Sequence, residues 1–300
     1  MITTTSFTSC PSCKSNLLSK VMVCRDHTVS QESFEVWECG NCQLRFTQHI
    51  PVSEAIGRYY QSDNYISHSD SGEGFINKIY KLARKYTLQS KRRMIATQTG
   101  LPSGKLLDVG CGTGAFLATM KQANWQVTGV EPDAGARDKA GKLYGIDVLP
   151  APALFSLPQD SFNAITLWHV LEHVHDLHGY MNQFKKILTR SGCLFIAVPN
   201  YTATDAAHYQ SNWAAYDVPR HLYHFSPKSM ALLASDHGFS VKAIHPMLLD
   251  AYYVAMLSEQ HINGKGNLFK ALWQGTRCLI STIANTKSSS SLVYILEKQP

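Results

Sequence analysis

One segment constrains this chain more than any other. A short apolar run breaks into glycines, Lys105-Leu106-Leu107-Asp108-Val109-Gly110-Cys111-Gly112-Thr113-Gly114, and the helix-forming Ala115-Phe116-Leu117-Ala118-Thr119-Met120 follows at once. The pattern reads as strand, tight turn, helix. Glycines let the backbone turn sharply and approach a ligand closely, and the first N–H groups of the helix lie free to meet anionic ligand atoms. The next strand, Trp125 to Val130, ends in Glu131, a side chain able to accept hydrogen bonds from both hydroxyls of a ribose. Gly110, Gly112 and Ala115 also satisfy the dinucleotide fingerprint, so glycine spacing alone is ambiguous. Asp108 decides it: a carboxylate just before the turn suits a cationic ligand and repels a pyrophosphate. A cofactor bearing an amino acid fits better than a dinucleotide.

Further strands read Asn163 to Leu167 and Cys193 to Val198, with a helix from Leu177 to Leu188 between them. Alternation of strand and helix requires a parallel α/β sheet. Two more strands, Phe239 to Ile244 and Ser291 to Leu296, lie near the C-terminus. Between them, from about 248 to 288, apolar residues including Trp273 recur at helical spacing, which reads as an inserted helical lid or interface.

Asp108 to Gly114, then Val130-Glu131-Pro132-Asp133, then Leu167-Trp168-His169-Val170-Leu171-Glu172-His173-Val174, resemble a class I S-adenosylmethionine-dependent methyltransferase of the type 11, 12 and 23 kind, over roughly residues 101–200. The resemblance implies a Rossmann-like sheet ending in an antiparallel strand pair. It implies that Asp108, Gly110, Cys111, Gly112 and Gly114 surround the methionine part of S-adenosylmethionine, that Glu131 holds the ribose, and that Pro132 and Asp133 flank the adenosine. His169 then borders the methyl group. Many relatives carry an acidic residue for the adenine amine after the third strand; here Val148 to Leu154 has none, so backbone or Leu154 contacts must substitute.

Cys10-Pro11-Ser12-Cys13 and Cys39-Gly40-Asn41-Cys42 are separated by residues 14–38, 25 in all. Paired Cys-x-x-Cys spacing with strand-like residues between is the pattern of a zinc ribbon, with Cys10, Cys13, Cys39 and Cys42 as ligands of one structural zinc. Four thiolates close the shell and leave no open position for chemistry. Gly40 is the residue expected to supply the second knuckle's turn. The expected organisation is therefore a ribbon over 1–50, a linker with a basic amphipathic helix over 51–100, and the methyltransferase domain over 101–300.

The 28 Lys and Arg exceed the 22 Asp and Glu by only six, too little over 300 residues to mark a dedicated nucleic-acid binder. The excess is local: 75–98 holds seven basic residues and no acidic one, which suits a solvated face, an anionic substrate or a peripheral membrane contact. The start of the chain lacks a signal-peptide pattern and no 18-residue apolar run occurs, so the expected location is the cytoplasm.

Methyl transfer from a sulfonium needs alignment and, for an oxygen or carbon nucleophile, a base. The polar loop Asp217-Val218-Pro219-Arg220-His221-Leu222-Tyr223-His224-Phe225 is the richest cluster available. The expectation is that Arg220 clamps a polar or anionic small-molecule acceptor while His221 takes its proton, with His169 as the next candidate. The chain lacks the Asn/Asp-Pro-Pro-aromatic and Pro-Cys motifs of base methylation after the fourth strand. An RNA methyltransferase and a noncatalytic zinc-scaffold subunit remain the competing readings.

Overall fold

A computed structural model describes residues 3–61 and 75–299, without the side chains of 75–82 and 263. Asp63, Asn64, Tyr65 and His68 of the expected linker lie outside the described residues. Seven strands form one sheet in the order Phe239–Pro246, Ser291–Lys298, Leu188–Pro199, Phe162–Trp168, Lys105–Val109, Gln126–Val130, Val148–Leu149. The five from Leu188–Pro199 onward run parallel. Ser291–Lys298 pairs antiparallel with strands on both sides, so the terminal antiparallel pair expected from the resemblance is present. Chain order reverses between Lys105–Val109 and Phe162–Trp168, and the C-terminal ends of strands at such a switch point form a ligand crevice.

The parallel strands are buried on both faces, which is why Cys193 to Val198 reads as an unbroken apolar run. Helix Phe75–Thr99 packs Ile95 into the core beside Leu106 and Phe116. The apolar run after residue 248 forms two helices, Asp250–Asn263 and Leu268–Ala284, because Gly264 and Gly266 both adopt positive φ and break it.

The ribbon is less separate than its spacing suggests. Its strands Leu18–Arg25, Ser33–Cys39 and Arg45–Thr47 form an antiparallel sheet. A fourth strand, Tyr223–His224, comes from the polar loop of the main domain and pairs with Arg45–Thr47. A boundary at residue 50 therefore does not separate independent units. His178 also donates from Nε2 to the carbonyl of Pro11, next to Cys10, at 2.9 Å, and His175 donates to that of Pro51 at 3.1 Å.

Candidate active site and four-cysteine cluster

The glycine turn opens a space at the sheet's switch point. Gly110 has φ +69°, and a side chain there would strike Val170 at 2.5 Å, so glycine is required. Gly112 has φ +53° with nothing within 4 Å of where a Cβ would sit, which leaves room for a ligand against the backbone. Glu131 is tied to this turn: one carboxylate oxygen accepts from the Gly112 N–H at 2.9 Å and the other from the Asp133 N–H at 3.0 Å. Asp133 caps helix Ala134–Tyr144 by accepting from Ala136, and Arg137 donates to the carbonyls of Glu131 and Pro132. The carboxylate is thus fixed in direction before any ligand arrives.

Asp108 is buried and accepts from Thr166 Oγ1 at 2.5 Å. Burial pushes its pKa up to about 7, with the Thr166 hydroxyl and the Lys91 ammonium opposing the shift. Lys91 reaches the same place from helix Phe75–Thr99. Its Nζ lies 4.0 Å from the centre of the Trp168 ring, and burial lowers its pKa to about 8 against the pull of Asp108 and Asp250. The basic face expected of this helix includes Lys91, yet its side chain turns inward. Only the fold reveals this, since nothing in helical spacing distinguishes it from Arg92 or Arg93.

His169 follows the strand Phe162–Trp168 with φ +57°, and its side chain is 34% exposed. Its Nε2 donates to Asp250 at 3.1 Å, and Nδ1 lies 3.4 Å from Glu172. Burial acts to lower its pKa, but the two carboxylates more than offset this and raise it to about 10. The side chain is an imidazolium near neutrality. Asp250 belongs to the inserted helix pair, so the insertion reaches the site.

Behind His169 the groups close up. Glu172 is fully buried and neither oxygen has a hydrogen-bond partner. Burial opposes its ionisation, yet His169, His221 and His173 together keep its pKa below the usual carboxylate value. His173 donates from Nδ1 to the Arg220 carbonyl at 2.9 Å, and burial lowers its pKa to about 4. Ligand atoms of Glu172, His173 and His221 all lie within 4.8 Å of one another.

Three sequence expectations need correction. Arg220 does not face an acceptor: it is 1% exposed and donates to Asp26 at 2.9 Å, to Asp217 at 2.6 and 3.0 Å, and to the Tyr59 carbonyl at 2.7 Å. It fastens the ribbon to the main domain. His221 is buried too, donating from Nδ1 to the Ala215 carbonyl at 2.8 Å, while its own carbonyl accepts from Thr47 of the ribbon. The loop looked catalytic because buried polar residues that tie two units together have the same composition as a site. Leu154 is fully buried and its carbonyl is taken by Gln183 at 2.7 Å, so it offers no face to an adenine ring.

The four ribbon cysteines converge. Sγ of Cys10 and Cys42 are 3.5 Å apart, those of Cys13 and Cys39 3.6 Å, and all four lie within 4.8 Å. A tetrahedral ion with bonds of about 2.3 Å sets sulfurs about 3.8 Å apart, close to these two separations, so the four thiols suit a zinc site. The knuckle turns rest on Lys14 and Gln43, at φ 61° and 60°, rather than on Gly40.

Sheet order, the glycine turn and the fixed Glu131 together define a class I S-adenosylmethionine-dependent methyltransferase fold. A family model described as a methyltransferase domain matches residues 80–244, more than half of the 300, and the chain belongs to that family. Among curated relatives, the C-methyltransferase NovU of Streptomyces niveus is 25% identical over 223 residues, covering 70% of this chain and 47% of that protein. A ubiquinone biosynthesis O-methyltransferase of Xanthomonas campestris pv. campestris is 28% identical over 141 residues, covering 44% of this chain and 59% of its own length. The chain spans about half the length of these relatives. A solved structure from Galdieria sulphuraria, described as a candidate sarcosine dimethylglycine methyltransferase, shares the fold at TM-score 0.50 and 15% identity, covering 74% of this chain and 88% of that one.

Proposed function

We propose that this chain transfers the methyl group of S-adenosylmethionine to an oxygen or carbon atom of a polar small molecule, and that one structural zinc holds its ribbon. The observation carrying the cofactor reading is the pairing of buried Asp108 with a pre-fixed Glu131 around the open space at Gly112. Asp108 would take the cofactor's ammonium, Lys91 its carboxylate and Glu131 its ribose. The cofactor supplies the activated methyl; the chain's task is alignment and charge placement. Relatives named as a C-methyltransferase and an O-methyltransferase support this acceptor chemistry.

At the acceptor, His169 replaces His221 as the group of choice, because it is the partly exposed one and stands at the end of the strand beside Trp168. As an imidazolium it cannot take a proton. Its Nε2–H is held by Asp250 and its Nδ1 faces Glu172, so it acts through its charge, stabilising negative charge on an acceptor oxygen, while Asp250 is the carboxylate within reach to take the acceptor's proton. Glu172, 3.4 Å from His169 Nδ1, acts through His169 as a positioning residue. Transfer of a labelled methyl group from the cofactor into small-molecule and RNA fractions tests the reaction. Label appearing in RNA alone would refute the acceptor class. His169→Gln should lower turnover with little change in cofactor affinity, and turnover unchanged in this variant would remove His169 from the chemistry.

A further inference from the structure

Helix Leu268–Ala284 is built inside out. The side it turns to the protein is made of Ala271, Gly275, Cys278 and Thr282, and Gly275 is needed because a Cβ would meet the Tyr252 ring at 2.5 Å. Its large apolar side chains point the other way: Phe269 is 87% exposed, Ile283 79% and Trp273 69%. At about 100° per residue, these three with Leu268, Leu272 and Ile280 fall in one arc of about 140°. Met256 and Ile262 of the neighbouring helix are also exposed. An apolar face of this kind on a folded protein calls for an occupant.

Charge identifies it. Lys270 and Arg277 border the arc, Lys265 and Lys287 stand beyond the two ends of the helix, and no Asp or Glu occurs anywhere from 260 to 296. A second copy meeting this face along a twofold axis would bring these cations against each other, with no carboxylate in the segment to pair them. An anionic lipid surface supplies the missing charge, and a helix lying in the interface with Trp and Phe down and Lys and Arg beside them is the arrangement such a surface holds. No described helix is long and apolar enough to cross a membrane, which agrees with lying on one. We propose that the Asp250–Ala284 helix pair docks this chain onto an anionic bilayer through the Phe269, Leu272 and Trp273 face.

The experiment is sedimentation of the full chain with phosphatidylcholine vesicles and with vesicles that also contain phosphatidylglycerol. Binding should require phosphatidylglycerol and weaken with salt. Phe269→Ser/Trp273→Ser should abolish it, and Lys270→Glu/Arg277→Glu should weaken it on the order of tenfold or more. All four positions are exposed, so thermal unfolding should be unchanged in both variants, and this separates lost docking from lost folding. No binding to either vesicle overturns the proposal, as does equal binding by wild type and both variants. A concentration-dependent dimer that the Phe269→Ser/Trp273→Ser variant breaks, without vesicle binding, replaces the bilayer with a second copy. None of these readouts depends on the methyl transfer.

Discussion

The glycine turn and the 217–225 loop both lie near the C-terminal ends of the central strands, and both are dense in polar residues, yet they use them in opposite ways. At the turn, Glu131 and Gly112 hold each other in place around an open space. In the loop, Arg220 and His221 spend their hydrogen bonds on Asp26, Asp217, Ala215 and the ribbon, and little of either is exposed. Polarity alone does not mark a ligand site. Polar groups fixed beside empty space do.

If that contrast is right, damage on the loop side should appear as lost stability and damage at the turn as lost ligand. The largest effect belongs to the ribbon. Cys39→Ser/Cys42→Ser should remove one zinc per chain, and since structural zinc in small domains binds with about 10 to 16 kcal/mol, the ribbon and the attached loop should unfold together. Elemental analysis with hydrogen exchange over residues 217–225 checks this. Retained protection of the loop would show that the two are not coupled.

Next comes Asp26→Ala. It removes one of the two carboxylates on a buried guanidinium that keeps Asp217 and the Tyr59 carbonyl, and should cost about 1.5 to 3 kcal/mol, read by denaturant titration. Burial disfavours the Asp26 carboxylate, but the Ser30 amide and Arg220 more than offset that and lower its pKa. Its stabilising contribution is therefore complete above the unfolded carboxylate value and disappears as pH falls through the lower folded one. Cofactor affinity measured in the folded variant should be nearly intact; a large loss there would merge the two regions.

Glu131→Ala should do the reverse. It should weaken S-adenosylmethionine binding by about 1.5 to 3 kcal/mol, as expected for hydrogen bonds to a charged group, with a smaller effect on unfolding. Calorimetry giving unchanged affinity would place the ribose elsewhere.

The smallest effect is in pH. A cationic ammonium binds the ionised form of Asp108, whose pKa burial raises to about 7. Affinity should fall up to about tenfold per pH unit below 7 and level off above it. Asp108→Asn should flatten that profile, and a profile equally steep in the variant would assign the dependence to another group.

The glycine turn was legible because it rests on a local backbone demand that few residues satisfy, the paired cysteines because ligand spacing is a short-range pattern, and the sheet order through the family resemblance. Gly110 is there because Val170 leaves no room for a side chain. Lys91, Asp250 and the fastening role of Arg220 were not legible. Each is defined by a partner far along the chain, Asp26 being 194 residues from Arg220, and sequence spacing carries no record of such meetings. The insertion shows the same limit differently. Its helical period was clear, but period alone did not say that Ala271, Gly275 and Cys278 would face inward and Trp273 outward.

The strand Tyr223–His224 has a consequence for how the chain is made. Thr47 and His224 are bonded partners 177 residues apart, so as the polypeptide leaves the ribosome the edge of Arg45–Thr47 waits unpaired until the strand Tyr223–His224 has been synthesised. Domains generally fold as they emerge, N-terminal first, and an uncovered strand edge in that interval is open to pairing with other chains. Here a sheet that emerges before the glycine turn is completed only after it. Efficient production of the protein then depends on how quickly the late segment returns to a partner that emerged 177 residues earlier.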